Sequence, residues 1–129
     1  MIRTFVVIAA WVSVAILAYL TLTHVGFVYS IYFKLAPFLM NVNMKTYAHF
    51  EHVIAFAVFG ALFAFAYPRR VVFVCCVVII TAVTLEYMQT LTPDRHGTLI
   101  DAWEKIVGGA FGICAVRASL HFWRRNSCP

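Results

Sequence analysis

His49, Glu51, His52, Glu86, Asp101, Glu104 and Lys105 stand inside long apolar runs of a 129-residue chain that is 64% hydrophobic and only 12% charged. An ionised side chain in hydrocarbon costs on the order of 3 kcal/mol or more, so each of these residues asks for a partner or a task. Histidine and carboxylate together can move protons, and a cation held by a carboxylate can receive an anionic group. His52 with Glu86 as its partner would suit acid-base chemistry. Two histidines and several carboxylates would also suit a metal, but His49 and His52 are three residues apart, not the H-E-x-x-H spacing. No nucleophile motif accompanies them. Neither a metal nor a cofactor is therefore expected.

The elements that position these residues follow from hydropathy. A hydrocarbon core about 30 Å thick is crossed by about 20 apolar residues in a helix. Four windows meet that length, approximately 4–22, 47–67, 71–91 and 99–119. Arg3 ahead of the first window gives it some likeness to a signal peptide. Its length, and the lack of an A-x-A site after Leu22, favour a retained span. The segment 23–46 carries Phe27, Tyr29, Tyr32, Phe33 and Phe38, aromatics suited to the headgroup level. Pro68-Arg69-Arg70 and the stretch from Thr92 to Thr98, with Pro93 and Gly97, read as short connections. Loops rich in Lys and Arg stay in the cytoplasm. With four spans, Arg3, Arg69, Arg70, Arg117, Arg124 and Arg125 share one side, against Lys34, Lys45 and Arg95 on the other. The expected architecture is all-α, a polytopic membrane protein whose four transmembrane helices form one bundle, with both termini cytoplasmic. It forms a single domain over 1–129, a multi-pass protein of the inner (cytoplasmic) membrane.

This arrangement gathers the ionisable residues. The second helix begins with His49, Glu51 and His52, the third ends with Glu86, and the fourth begins with Asp101, Glu104 and Lys105. All fall within roughly 9 Å of one membrane face at 1.5 Å rise per residue. Residues three or four apart share a helix side, which pairs His49 with His52 and Glu86 with Gln89. In the fourth helix Asp101, Lys105, Gly108 and Gly112 form one stripe, an intrahelical ion pair followed by a Gly-x-x-x-Gly step. Glycines admit a second helix closely, so the stripe reads as an interior face. Arg95 is tethered above the layer and offers a fork to a carboxylate or phosphate. The plainer alternatives are snorkelling to headgroups for His49, Glu51 and Glu104, and a structural ion-pair network for Glu86, Arg95 and Asp101.

The net charge of +5 arises from ten Lys and Arg scattered singly or in pairs, with no basic stripe on an amphipathic face. Nucleic acid is therefore excluded as a partner, and the charge is topology information. Cys75, Cys76, Cys114 and Cys128 lack a C-x-x-C spacing and read as packing residues and a tail thiol.

The residues Glu51-His52-x-x-Ala55-Phe56-x-x-x-Gly60, then Glu86-x-x-Gln89-x-x-x-Pro93-x-Arg95, then Asp101 and Gly108-x-x-x-Gly112 resemble the VanZ-like family of small membrane proteins. The resemblance runs from Glu51 to Gly112, three short motifs in order on successive helices. It implies a four-helix membrane fold of a family named after a member associated with teicoplanin resistance. It carries over His52, Glu86, Gln89, Arg95 and Asp101 as the polar positions. Lys105 departs from the pattern, since many relatives have Asn there.

The expected function is that of an envelope accessory or binding protein rather than an enzyme. Its layer would engage an anionic lipid, a cell-wall precursor or an amphiphilic antibiotic at the extracytoplasmic face. His52, Glu86, Gln89, Arg95, Asp101 and Lys105 form the candidate polar cluster, with Arg95 and Lys105 meeting phosphate. Gly60, Gly108 and Gly112 serve helix packing. The alternatives are an intramembrane hydrolase or transferase on a lipid-linked substrate, and a small transporter. The latter would use Gly108-x-x-x-Gly112 to form a homo-oligomer.

Overall fold

A computed structural model describes residues 1–22, 44–91 and 98–126, with the backbone alone at residue 2 and over 44–50. The chain is all-α: α1 spans Ile2–Leu22, α2 Met44–Ala66, α3 Val71–Thr90 and α4 Leu99–Asn126. Three of these helices are long and apolar enough to cross a membrane, over Arg3–Leu22, Val71–Thr90 and Leu99–Asn126. In α2 the apolar stretch among the described residues, Glu51–Ala66, is shorter. Their outward surfaces are apolar as well as their inward ones. Phe5, Ile8 and Ile16 on α1, Val72 and Ile80 on α3, and Phe111 on α4 all face away from the bundle. A helix apolar on every side fits hydrocarbon surroundings, and the chain is read as a membrane protein.

The connection between α2 and α3 is a single tight turn. The Arg70 N–H donates to the Tyr67 carbonyl at 3.0 Å. Pro68 occupies the second position of the turn, where its fixed φ is already suitable. The chain therefore reverses, and Arg69 and Arg70 are exposed at the bend.

The helices alternate in direction. Thr21, at the end of α1, meets Gln89 near the end of α3, while Trp11, earlier in α1, meets Tyr67 just past the end of α2. Hence α1 and α3 run the same way. The close contacts of Gly108 with Val53 and of Gly112 with Ala57 and Ala61 advance together along α2 and α4, so these two also run the same way.

At the centre lies α2, which packs on all three other helices and most extensively on α4. Phe56, Phe59 and Phe63 recur at helical spacing and are essentially inaccessible. Their rings step along the helix with centroids 5.6 and 4.9 Å apart. Around them close Ala10 and Leu17 of α1, Val74, Val78, Ala82 and Leu85 of α3, and Ile113 and Val116 of α4.

The α2–α4 contact depends on glycine. A Cβ placed on Gly112 would overlap the Ala57 carbonyl oxygen and stand 2.8 Å from its carbonyl carbon. One on Gly108 would stand 2.9 Å from the Val53 Cα, and one on Gly60 would meet the Gly109 backbone at 3.0 Å. These neighbours are main-chain atoms and cannot rotate aside. The interior placement expected for Gly60, Gly108 and Gly112 is found. The Gly108-x-x-x-Gly112 step is covered by α2 of the same chain, so it does not offer the oligomer contact expected of it.

Helix α4 continues to Asn126, past the expected membrane span 99–119, because no Gly or Pro interrupts Arg117–Asn126. One further expectation is corrected. Cys76 and Cys114 face outward instead of packing in the core, and Cys75 is half-buried. Cys128 lies outside the described residues, as does the aromatic segment 23–43.

Candidate functional site

The polar residues of three helices do converge on one end of the bundle, and Glu86 is their centre. It lies in the last turns of α3 and is 6% exposed. Its carboxylate has two separate tasks. One oxygen, Oε1, accepts the backbone N–H of Thr98 at 2.8 Å. The other, Oε2, is bonded to the ammonium of Lys105 on α4.

Thr98 is the residue before α4, and its side chain caps that helix. Its hydroxyl oxygen accepts the Asp101 N–H at 3.2 Å and donates to Asp101 Oδ2 at 2.7 Å. The first N–H groups of a helix have no partner within it, and a threonine hydroxyl at this position supplies one. Asp101 also places negative charge in the first turn, where the helix dipole favours it. In a capping box an acidic side chain three residues on would satisfy the N–H of the cap residue itself. Here Glu86, from another helix, takes that N–H.

Lys105 is fully buried. Nearly two turns into α4, it reaches Glu86, while Asp101 is engaged by Thr98, so the ion pair expected within α4 is replaced by one between helices. Burying an unpaired ammonium would be far more costly than burying this pair. Lys105 is accordingly a structural cation, and its expected contact with a phosphate is corrected. Among the described residues no buried side-chain nitrogen or oxygen is left without a hydrogen-bond partner.

Gln89, one turn after Glu86 and also buried, donates from Nε2 to the Thr21 carbonyl at 3.3 Å. The Thr21 hydroxyl is spent on the Leu17 carbonyl at 2.6 Å within its own helix. Thus α3 holds α4 through Glu86 and α1 through Gln89. Both cross-links leave the same face of α3, as their spacing predicts.

His52 is half-buried on α2, near enough to Lys105, Asp101, Glu86 and Glu104 for their charges to act on its imidazole. Asp101 and Glu104 are partly accessible and Glu51 is exposed. The layer therefore has a buried floor, Glu86 with Lys105 and Gln89, and an accessible rim of His52, Asp101 and Glu104. Among the described residues no three His, Cys, Asp or Glu side chains come together to hold a metal. Arg95 and the side chain of His49 lie outside the described residues.

Three contributors escaped the reading of the sequence. Thr98 was legible, since Thr98-x-x-Asp101 before an apolar run is a helix-start signature. Gly109, packed on Val78 and against Gly60, was signalled only by its adjacency to Gly108. Thr21 gave no signal, because a backbone carbonyl is the acceptor.

No family model, no curated protein and no solved structure matches this chain.

Proposed function

We propose that the chain is a VanZ-like accessory or binding protein of the inner membrane, crossing it four times with both termini in the cytoplasm. The polar end of the bundle faces outward in this reading. There it engages the anionic headgroup of a lipid, a cell-wall precursor or an amphiphilic antibiotic. The observation that carries the reading is the double grip of Glu86 on Thr98 and Lys105. It ties the start of α4 to α3 beside the rim of His52 and Asp101. Arg95 belongs to the connection between these helices, three residues before Thr98, and with Lys105 committed to Glu86 it is the cation that this reading assigns to an anion. The family-like positions His52, Glu86, Gln89 and Asp101 belong to this one end, which supports the resemblance. The arginines Arg3, Arg69, Arg70, Arg117, Arg124 and Arg125 belong to the other end, which supports the topology.

A deletion strain complemented with wild-type or Arg95→Ala protein tests the reading through its sensitivity to lipoglycopeptides. Arg95→Ala is expected to behave as the deletion does. Unchanged sensitivity in both strains would overturn the proposal. Topology is tested separately, in a background without native thiols. A cysteine at Thr98 should be labelled from outside the cell and one at Arg69 from the cytoplasm.

A further inference from the structure

His52 stands where the apolar core meets the polar end. Along α2 it shares a helix side with Phe56, Phe59 and Phe63, at the spacing that joins those three rings to one another. The three phenylalanines are essentially inaccessible, whereas His52 is half-buried. The imidazole therefore extends the aromatic column by one ring and ends it at the rim. Val53, the next residue, packs through its main chain on Gly108 of α4, one turn beyond Lys105. The ring thus borders the glycine contact between α2 and α4, close to the level of the Glu86–Lys105 pair.

Charged groups reach the ring from two neighbouring helices. Asp101, Glu104 and Lys105 come from α4 and Glu86 from α3, and all four act on it. On α2 itself Glu51 is exposed, and α1 brings the exposed Tyr19, with Arg3 at its far end. Much of this charge is already engaged. Glu86 holds the Thr98 N–H and Lys105 on its two oxygens, and Asp101 takes the Thr98 hydroxyl. No hydrogen bond to a described residue ties either ring nitrogen of His52. The ring is seated by packing and is not locked by a polar partner.

Histidine ordinarily titrates near pH 6.5, within the physiological range. A neutral imidazole suits the end of an aromatic column. An imidazolium would bring a second cation close to the buried ammonium of Lys105 and over the apolar ring of Phe56, where water does not solvate it. Asp101 and Glu104, the carboxylates that are partly accessible, lie toward the rim. A protonated ring is better served there than on the column.

We propose that His52 is a proton-operated latch: neutral, it seats the polar end of α2 against α4, and protonated, it turns out toward Asp101 and Glu104 and loosens that contact. The latch belongs to the bundle itself. It goes beyond the anion-binding reading and holds whatever ligand the rim takes and whichever side of the membrane it faces.

The test follows unfolding of the full chain by helicity in neutral detergent at pH 7.5 and 5.5. Stability falls with pH where the unfolded chain binds more protons than the folded one. One imidazole that titrates near 6.5 when unfolded can lower the folded-to-unfolded ratio by up to about tenfold over this range, and wild type should lose roughly five- to tenfold. His52→Gln, which is polar but takes up no proton, should remove most of that fall. His121→Gln, an exposed histidine far along α4, should retain it. A fall in His52→Gln as large as in wild type would overturn the latch. A second measurement needs wild type alone, with labelled histidine and phenylalanine observed by NMR in nanodiscs. The Phe56 ring signals should shift in step with protonation of His52, and a Phe56 ring unmoved by it would equally overturn the proposal.

Discussion

Lys105 and Arg117 are cations on the same helix, about 18 Å apart along its axis, and they live in opposite circumstances. Lys105 is inaccessible and bonded to Glu86, and the surrounding polar groups are also satisfied within the bundle. Arg117 is exposed on the second half of α4, where none of the described acidic residues lies. The first cation stabilises the protein by completing an internal pair. The second contributes little to internal packing and is available to something outside. Position along a helix, rather than residue type, thus separates a structural charge from one that can bind a ligand.

The comparison can be broken most forcefully at Lys105. Lys105→Met leaves the Glu86 charge buried with only the Thr98 N–H, and should cost about 3–5 kcal/mol in unfolding titrations that follow helicity in detergent. Adding Glu86→Gln removes the orphaned charge while keeping an acceptor for Thr98. The double variant should recover most of the loss. If the single and double variants are equally unstable, the pair is not what holds α3 to α4.

Between the two cations lies Gly112, through which α4 touches the central helix. Gly112→Ala forces a methyl against the Ala57 backbone, and α2 and α4 must part. A loss of about 1–3 kcal/mol is expected in the same titration, the usual cost of overpacking. A neutral result would mean that the close approach of these helices is dispensable.

A smaller effect is expected at the helix cap. Thr98→Ala removes the hydroxyl that serves Asp101 but leaves the backbone N–H that Glu86 accepts, so about 1 kcal/mol should be lost. Hydrogen exchange should show it as faster opening of the first turn of α4 alone. Uniformly faster exchange would mean that the cap supports the whole bundle.

The smallest change in stability belongs to Arg117→Gln. Its side chain is exposed and no described acidic residue lies near it, so thermal unfolding in neutral detergent should coincide with wild type. A clear loss of stability would show that Arg117 has an internal role and would narrow its difference from Lys105.

Much of this was legible in the residues. Long apolar runs without charge can form helices that satisfy their own backbone in hydrocarbon, so the all-α architecture needed only hydropathy and length. The same counting predicts that Glu86, Asp101, Lys105 and His52 share one end, because antiparallel connections return the chain to the same level each time. The glycines were readable as contact points because only a missing Cβ permits such an approach.

What the spacing did not decide was partnership. Asp101 and Lys105 are four apart and read as a pair within α4, yet the side chain of Lys105 reaches Glu86, and Asp101 turns to Thr98. Helical periodicity places side chains on a face. It does not say which neighbour will face them, and α3 delivers a carboxylate to that point only after the bundle has closed. The glycine step likewise announced a close contact without naming α2, and Gln89 found a backbone carbonyl that no side-chain pattern could foretell. The sequence by itself determined the helices, the uneven distribution of charge between the ends, and the candidate residues. Tertiary packing alone decided which charges are spent internally, because burial and hydrogen-bond partners come from segments distant in the chain.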